Sequence, residues 1–338
     1  MRILFNMVGC GAANNGGTST IFNSANILHK LGHKVFLVSD EKNKFTWFKL
    51  DGPEYILTDK LDYPHADVVI ATGVKSVPYV INAPSFKGKK LWWVRGHENW
   101  ARSDTQIFSL YRNPNITPFV NSSNLQRWIK RLTGKEPSIL RPGTDIDLFY
   151  PEKERNWEKK KWVLGGIFNQ KPLKRFEWIP LIYEQLKELG YNVELHLFGT
   201  YDMRRQVPHD VYLQQPDKGA LRKFYSNVDF WIAPTMSEGL HIPPQEAMLC
   251  ECIVLGTDEN LSGMRDYIED GTTGYLMQYW TDGAEQLARL IDEGDKIELD
   301  KIAKAGRKKI ISLGDRKKNM KKMVKYFKGA ENAKWHYR

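Results

Sequence analysis

Two glutamates with seven residues between them, Glu238 and Glu246, stand in the stretch 237–276, SEGLHIPPQEAMLCECIVLGTDENLSGMRDYIEDGTTGYL. They flank a turn formed by Gly239 and Leu240 and a Pro-Pro pair. Residues 228–234 (VDFWIAP) are an apolar run that reads as a buried strand. Residues 244–250 read as a helix opened by proline, whose missing N–H costs nothing in a first turn. Glu238 then falls in a strand-to-helix loop and Glu246 about one turn into the helix. Both can face the crevice at the carboxyl end of a sheet, where open α/β folds bind ligands. A second feature is the glycine turn 14–18 (NNGGT), where Gly16 and Gly17 could let a phosphate meet backbone N–H groups at a helix N-terminus. A plain tight turn explains that turn equally well. The dinucleotide pattern GxGxxG starts at Gly9 and Gly11, but Asn14 stands where its third glycine belongs, which argues against a nicotinamide enzyme.

The elements that must carry these residues repeat in two halves. The first opens with the strand RILFNMV, the glycine turn and a helix over 21–31 stopped by Gly32, followed by the strand HKVFLVSD. Further strands are read at 66–71, 90–94 and 117–121. The second half opens near Lys161 with KWVLGGIF, a helix over 176–189, the strand NVELHLFGT, a short helix over 219–226, and then the glutamate block. Such alternation predicts a parallel, doubly wound sheet in each half. The expected domains are 1–150 and 161–315, joined by a charged, aperiodic linker at 151–160 and followed by a basic helix or tail at 316–338. Ile302, Ile310, Met323 and Phe327 keep helical spacing, so the lysine-rich end is expected to be ordered at least in part.

A chain of 338 residues suits two domains with their own cores, and 41% apolar residues with 11 Trp argue against disorder. No apolar run approaches the roughly 18 residues of a membrane span. The opening MRILFNMVGCG lacks the shape of a secretory signal. Cys10, Cys250 and Cys252 are odd in number and without metal-ligand spacing, so a reducing, cytoplasmic setting is expected. The net charge of +10 is uneven: residues 296–338 hold 15 Lys and Arg against 4 Asp and Glu. This is either a solvated lysine face or a surface for a polyanion, such as an anionic membrane, a charged glycan or nucleic acid.

The glutamate block resembles the Glu-x7-Glu signature of retaining glycosyltransferases of the GT-B fold, specifically glycosyltransferase family four. The resemblance runs over about residues 1–290, loosely in the first half and well in the second. It implies two Rossmann-like domains facing a cleft, the second holding a nucleotide-sugar and the first the acceptor. By it, Glu238 holds sugar hydroxyls, Glu246 the ribose, and the loop with Gly239 and Leu240 the donor. Gly16 and Gly17 match the loop that faces the donor diphosphate, and His97 in WWVRGHENW matches a histidine facing the sugar. RPGTDIDLFYP matches through Gly143, Asp145, Phe149 and Pro151, with Pro142 where the family has asparagine. In GGIFNQKPLKRFEWIPLI the family's arginine is replaced by Ile167, and the diphosphate cations are expected at Lys174, then Arg175, with Lys171 nearby. His241 stands where the family has glycine.

The resemblance implies transfer with retention, with the departing phosphate helping to deprotonate the acceptor, and needs no metal or cofactor. Two other readings share the fold: a nucleotide-sugar epimerase, and a binding protein built on a degraded transferase. The expected acceptor is polyanionic, or a lipid or polysaccharide, with residues 296–338 as the basic surface for an anionic membrane, a glycan or DNA; a hydroxylated base in phage DNA is the alternative.

Overall fold

The computed structural model describes residues 1–40, 42–58, 63–84, 87–203, 207–259 and 261–329. The described residues divide into two compact units, residues 1–143 with 315–329 and residues 144–314.

The first unit is built on six parallel strands: β1 (Arg2–Asn6), β2 (Lys34–Ser39), β3 (Glu54–Leu57), β4 (Val68–Ala71), β5 (Lys89–Val94) and β6 (Thr117–Val120). Their order is β3-β2-β1-β4-β5-β6, so the winding reverses between β1 and β4. The central strands are apolar on both faces because helices cover both. Ile3, Phe5, Leu37, Ile70 and Trp93 face α1 (Gly16–Lys30). Leu4, Val38, Val69, Trp92 and Val94 face α2 (Val77–Asn82), α3 (Asp104–Arg112) and α4 (Ser123–Thr133). Helix α1 starts five residues before the expected position, because the Asn15 side chain caps it by accepting from Thr18 N–H at 3.0 Å.

The second unit repeats the plan with β7 (Trp162–Phe168), β8 (Val193–Gly199), β9 (Val211–Gln214), β10 (Phe230–Ala233), β12 (Ile253–Thr257) and β14 (Tyr275–Met277). The order is β14-β12-β10-β7-β8-β9, all parallel, with the reversal between β7 and β10. Its helices are α5 (Trp178–Glu188), α6 (Lys218–Asn227), α7 (Ile242–Leu249), α8 (Trp280–Asp292) and α9 (Lys296–Leu313). Two short strands outside the sheet, β11 (Ser237–Glu238) and β13 (Leu261–Ser262), pair in parallel.

The last described helix, α10 (Arg316–Gly329), returns to the first unit. Met320, Met323, Val324 and Phe327 are buried against the α1 face of its sheet. The expected division at 150 and 315 is thus corrected to 143/144 and 314/315, and the helix at 316–329 belongs with the first unit. Residues 330–338 of the expected tail lie outside the described residues. At the crossing, Gly143 has φ +77°, and a Cβ there would stand 2.6 Å from the Asp315 carbonyl carbon. Only glycine lets the outgoing and returning strands of chain pass so closely.

The expected linker at 151–160 is also corrected. Arg155 donates to the carbonyls of Val228 (2.6 Å), Tyr225 (2.9 Å) and Cys250 (2.5 Å). Trp157 is buried and stacks on Trp162. This aperiodic segment is a strap fastened to the second unit by the Arg155 guanidinium on backbone carbonyls and by the buried Trp157 ring. Among the described residues no helix is long and apolar enough to cross a membrane.

Candidate active site

The reversal between β7 and β10 puts two loops side by side at the carboxyl edge of the second sheet, the place where ligands of such sheets bind. The loop after β7 carries Lys171, Lys174 and Arg175; the loop after β10 carries Glu238, Gly239, Leu240 and His241. They are bonded to each other, Met236 N–H to the Leu173 carbonyl at 2.9 Å and Thr235 Oγ1 to the same oxygen at 3.1 Å. Across this junction Lys174 Nζ forms an ion pair with Glu238 Oε1.

Several contacts hold the glutamate loop in place. The β11–β13 pairing sets Glu238 opposite Ser262. Gly263 lies against the loop: a Cβ on it would approach the Gly239 carbonyl to 2.1 Å. From below, Gln245 Nε2 donates to the Leu240 and His241 carbonyls at 3.0 and 3.3 Å, and Tyr267 OH to the latter at 3.2 Å. His241 itself takes φ +50° at the start of α7, a left-handed conformation unusual for a side chain and natural for the glycine expected there. Pro243 and Pro244 remove two N–H groups from the first turn of α7, so this helix end offers few donors to an anion.

Burial, with Lys171 adding repulsion, pulls the Lys174 ammonium down to about 8 despite its contact with Glu238. Burial and the Lys174 charge push His241 well below its ordinary value, so its ring is neutral; its Nδ1 has no hydrogen-bond partner among the described residues. Arg175, the second expected cation, pairs with Glu259 at 2.6 Å and lies 4.6 Å over the Trp178 ring. Ile167 lies within β7 and packs against the core, so the residue at the expected arginine position belongs to the sheet rather than to the loop.

Glu246 lies in the second turn of α7 and accepts a hydrogen bond from Tyr225 OH at 3.2 Å. Burial first, then the Glu246 charge, push the Tyr225 phenol well above its ordinary value, so it stays a donor. The structure thus brings Lys174, Glu238 and His241 together, with Arg175 committed to Glu259 and Glu246 anchored on Tyr225. Sequence reasoning missed Glu259, Tyr225, Gln245 and Gly263 as supports, and no local pattern marks them. Among the described residues, no cluster of three or more His, Cys, Asp or Glu could hold a metal ion.

The remaining expected residues are in the first unit. Gly16 and Gly17 form the first turn of α1; a Cβ on Gly17 would stand 3.1 Å from Asn15 Oδ1 and 3.5 Å from Arg95 Nη1. His97 follows β5 but is 3% exposed, stacked on Phe108 and edge-on to Trp128, with Nε2 2.8 Å from Asp104 Oδ1.

Two six-stranded parallel sheets, each covered by helices and each with its own switch point, define the GT-B class of fold. Within the second unit, residues 160–293 match the family model described as Glycosyl transferases group 1. The fold is similar to that of sucrose-phosphate synthase from Thermosynechococcus elongatus, at 14% identity and a TM-score of 0.77, over 98% of this chain and 99% of that one. It is similar to Anabaena HepE in complex with UDP, at 14% identity and a TM-score of 0.79, over 97% and 100% of the chains. It is also similar to WaaG, a glycosyltransferase involved in lipopolysaccharide biosynthesis, at 15% identity and a TM-score of 0.67, over 97% and 100%. No curated protein matches the chain by sequence.

Proposed function

We propose that the protein is a retaining glycosyltransferase that takes a sugar from a nucleotide-sugar, a UDP-sugar first among them. The observation that carries this reading is the pairing of Lys174 with Glu238 across the switch point of the second sheet, within the segment that matches the family model. A cation and a carboxylate side by side suit a ligand whose diphosphate and sugar hydroxyls meet at one point. Structures of Anabaena HepE with UDP and with UDP-glucose lend support to that choice of donor. In this reading Glu238 holds sugar hydroxyls and Glu246 accepts from the ribose. Lys174 neutralises the diphosphate, exchanging its partner Glu238 for phosphate oxygens, with Arg175 and Lys171 behind it. Gly239 and Leu240 offer backbone N–H groups, Gly16 and Gly17 the N–H groups of α1, and His97 orders the sugar-facing side.

In the reaction, the acceptor hydroxyl attacks the anomeric carbon on the face from which the diphosphate leaves. The bond from that carbon to the phosphate oxygen breaks, its electrons stay on phosphate, and the acceptor proton passes to a phosphate oxygen. Fixed cations lower the cost of the charge that builds there. No resident metal or cofactor takes part. The test is a screen of UDP-, GDP- and ADP-sugars, with EDTA and without, against glycan, lipid and hydroxymethylated-DNA acceptors. Nucleoside diphosphate released only with an acceptor, EDTA notwithstanding, supports transfer; sugar isomerisation without acceptor overturns it.

Glu246→Ala is expected to raise the Kd for UDP roughly 10- to 100-fold, the loss of a charged hydrogen-bond acceptor. Because it also leaves the buried Tyr225 OH unpaired, Glu246→Gln serves as the control that still accepts from that phenol. Unchanged UDP binding by calorimetry in both variants removes Glu246 from the donor site.

The acceptor is proposed to carry negative charge. Lys317, Lys318, Lys321, Lys322, Lys325 and Lys328 are exposed on α10, opposite its buried face. On an ideal helix these six fall within an arc of about 140°. None of them makes an ion pair within the described residues, and α10 holds no acidic residue. Arg316 is buried, so the exposed charges are lysine ammoniums, suited to a diffuse anionic surface rather than to bidentate recognition. Replacing Lys317, Lys318, Lys321 and Lys322 by glutamate is expected to lower use of an anionic lipid or polysaccharide acceptor at least about tenfold at low salt, with a weaker salt dependence, since each lost contact releases fewer counterions. UDP binding should not change. Wild-type binding to duplex DNA but not to anionic vesicles would move the acceptor to nucleic acid; indifference of both to the reversal leaves the lysines a solvated face.

A further inference from the structure

In the first unit, the loop that leaves β5, residues 95–102, carries side chains that neither the core nor the donor reading uses. Its backbone is closed on itself: Ala101 and Arg102 N–H meet the Glu98 carbonyl at 3.0 and 3.4 Å, and Asn99 N–H meets the His97 carbonyl at 2.9 Å. It is also tied to its neighbours. Arg95 donates to the Gly17 carbonyl at 2.6 Å and to the Thr72 carbonyl at 2.7 Å, joining the loops after β4 and β5 to the start of α1. Glu98 Oε2 accepts from Val74 N–H at 2.8 Å. A Cβ built on Gly73 would lie 2.9 Å from Cys10 Sγ and 3.2 and 3.4 Å from the two Glu98 carboxylate oxygens. The Glu98 carboxylate therefore converges with the loops after β1 and β4, the two strands between which this sheet reverses its winding.

Two residues beyond Glu98, Trp100 is 62% exposed. Its ring edge lies 3.7 Å from where a Cβ on Gly96 would stand. An indole held in water on a loop so fastened has little conformational freedom left to lose when a ligand covers it. The ligand that suits an exposed indole and a carboxylate carried two residues apart on one fastened loop has an apolar face and a rim of donors. A pyranose ring is such a group: its C–H face stacks on the aromatic ring and its hydroxyls donate to the carboxylate. Burial pushes the Glu98 carboxyl up, opposed by the Val74 N–H bond and the Arg95 charge, and in either protonation state it can hydrogen-bond a hydroxyl.

We propose that this loop is the acceptor site, that Trp100 stacks a sugar ring of the acceptor, and that Glu98 holds one of its hydroxyls. The acceptor is thus a saccharide, which any anionic carrier presents to the enzyme. The assignment rests on the glycosyltransferase reading for its reaction but not for its binding test.

That test is saturation-transfer NMR with methyl glycosides of glucose, galactose, mannose and N-acetylglucosamine and their disaccharides. It is run on the wild type, Trp100→Ala, Trp100→Phe and Glu98→Gln, with UDP, GDP and ADP titrated in parallel. At least one glycoside is expected to bind the wild type. Trp100→Ala should weaken it about tenfold or more, Trp100→Phe should stay within about threefold, and Glu98→Gln should fall between, while UDP binding is unchanged in all. The phenylalanine variant keeps a stacking face, so its rescue separates stacking from a change of loop structure. Saccharide binding indifferent to Trp100→Ala overturns the proposal, as does a wild type that binds UDP and none of the glycosides. Failure of UDP, GDP and ADP alike to bind any form overturns the transferase reading instead, and the effect of Trp100→Ala on glycoside binding then decides this proposal by itself.

Discussion

Glu238→Gln is expected to lower turnover about 100-fold while leaving the Kd for UDP within about threefold. UDP lacks the sugar whose hydroxyls Glu238 is proposed to hold, so its binding is nearly blind to the change. Glutamine keeps the size of the side chain and an oxygen that Lys174 can meet, and the loop is held from below by Gln245 and Tyr267 and against Gly263, none of which depends on the carboxylate charge. The measurement is kcat under saturating donor and acceptor beside UDP titration by calorimetry. Equal losses in the two quantities would show that Glu238 binds the nucleotide rather than orienting the sugar, and no loss in either removes it from the site.

Lys174→Ala is expected to raise the Kd for UDP about 10- to 100-fold and leave uridine binding unchanged, because in the proposed site only the diphosphate meets the ammonium. The variant also carries a pH signature. In the free protein the Lys174 ammonium titrates at about 8 instead of its usual 10.5, chiefly because it is buried. Below pH 8 it is charged and ready for phosphate; above, binding must first take up a proton. Wild-type affinity for UDP should therefore be flat below about 8 and fall by up to tenfold per pH unit above it, until the pKa of the complex is reached. For stability the sign is opposite: between about 8 and 10.5 the unfolded chain binds the proton that the folded chain has released, so this lysine's contribution to stability rises with pH. Lys174→Ala should lose the pH dependence of UDP binding along with the affinity. If Lys171→Ala does so instead, the phosphate cation is the exposed lysine three residues earlier; Arg175 is less free to serve, being held by Glu259 and Trp178.

What the amino-acid order determined by itself was local. Short apolar runs such as VFLV, VVIA and LWWV read as strands, and their alternation with helices predicted parallel sheets in two halves, as observed. The spacing of Glu238 and Glu246 around a proline-opened helix likewise placed one carboxylate between strand and helix, where it ends the short β11, and the other about one turn into α7. The helical spacing of Met323 and Phe327 foretold the buried face of α10. These are patterns of period two or three to four, set by neighbours a few residues away.

Tertiary structure decided everything that joins residues far apart in the chain. Residues 151–160 had the composition of a linker, yet Arg155 fastens them to carbonyls 70 to 95 residues on. Helix α10 had a face to bury, but nothing in its own residues said that the face would return to the first unit at Gly143. Lys174 was legible as a cation in a loop. That it meets Glu238, sixty-four residues later, and titrates near neutral pH depends on the reversal of winding between β7 and β10. A local sequence pattern reports which face of an element avoids water. It carries no information on which distant element will cover that face, and both the burial that shifts a pKa and the partner that holds a charge are properties of that covering.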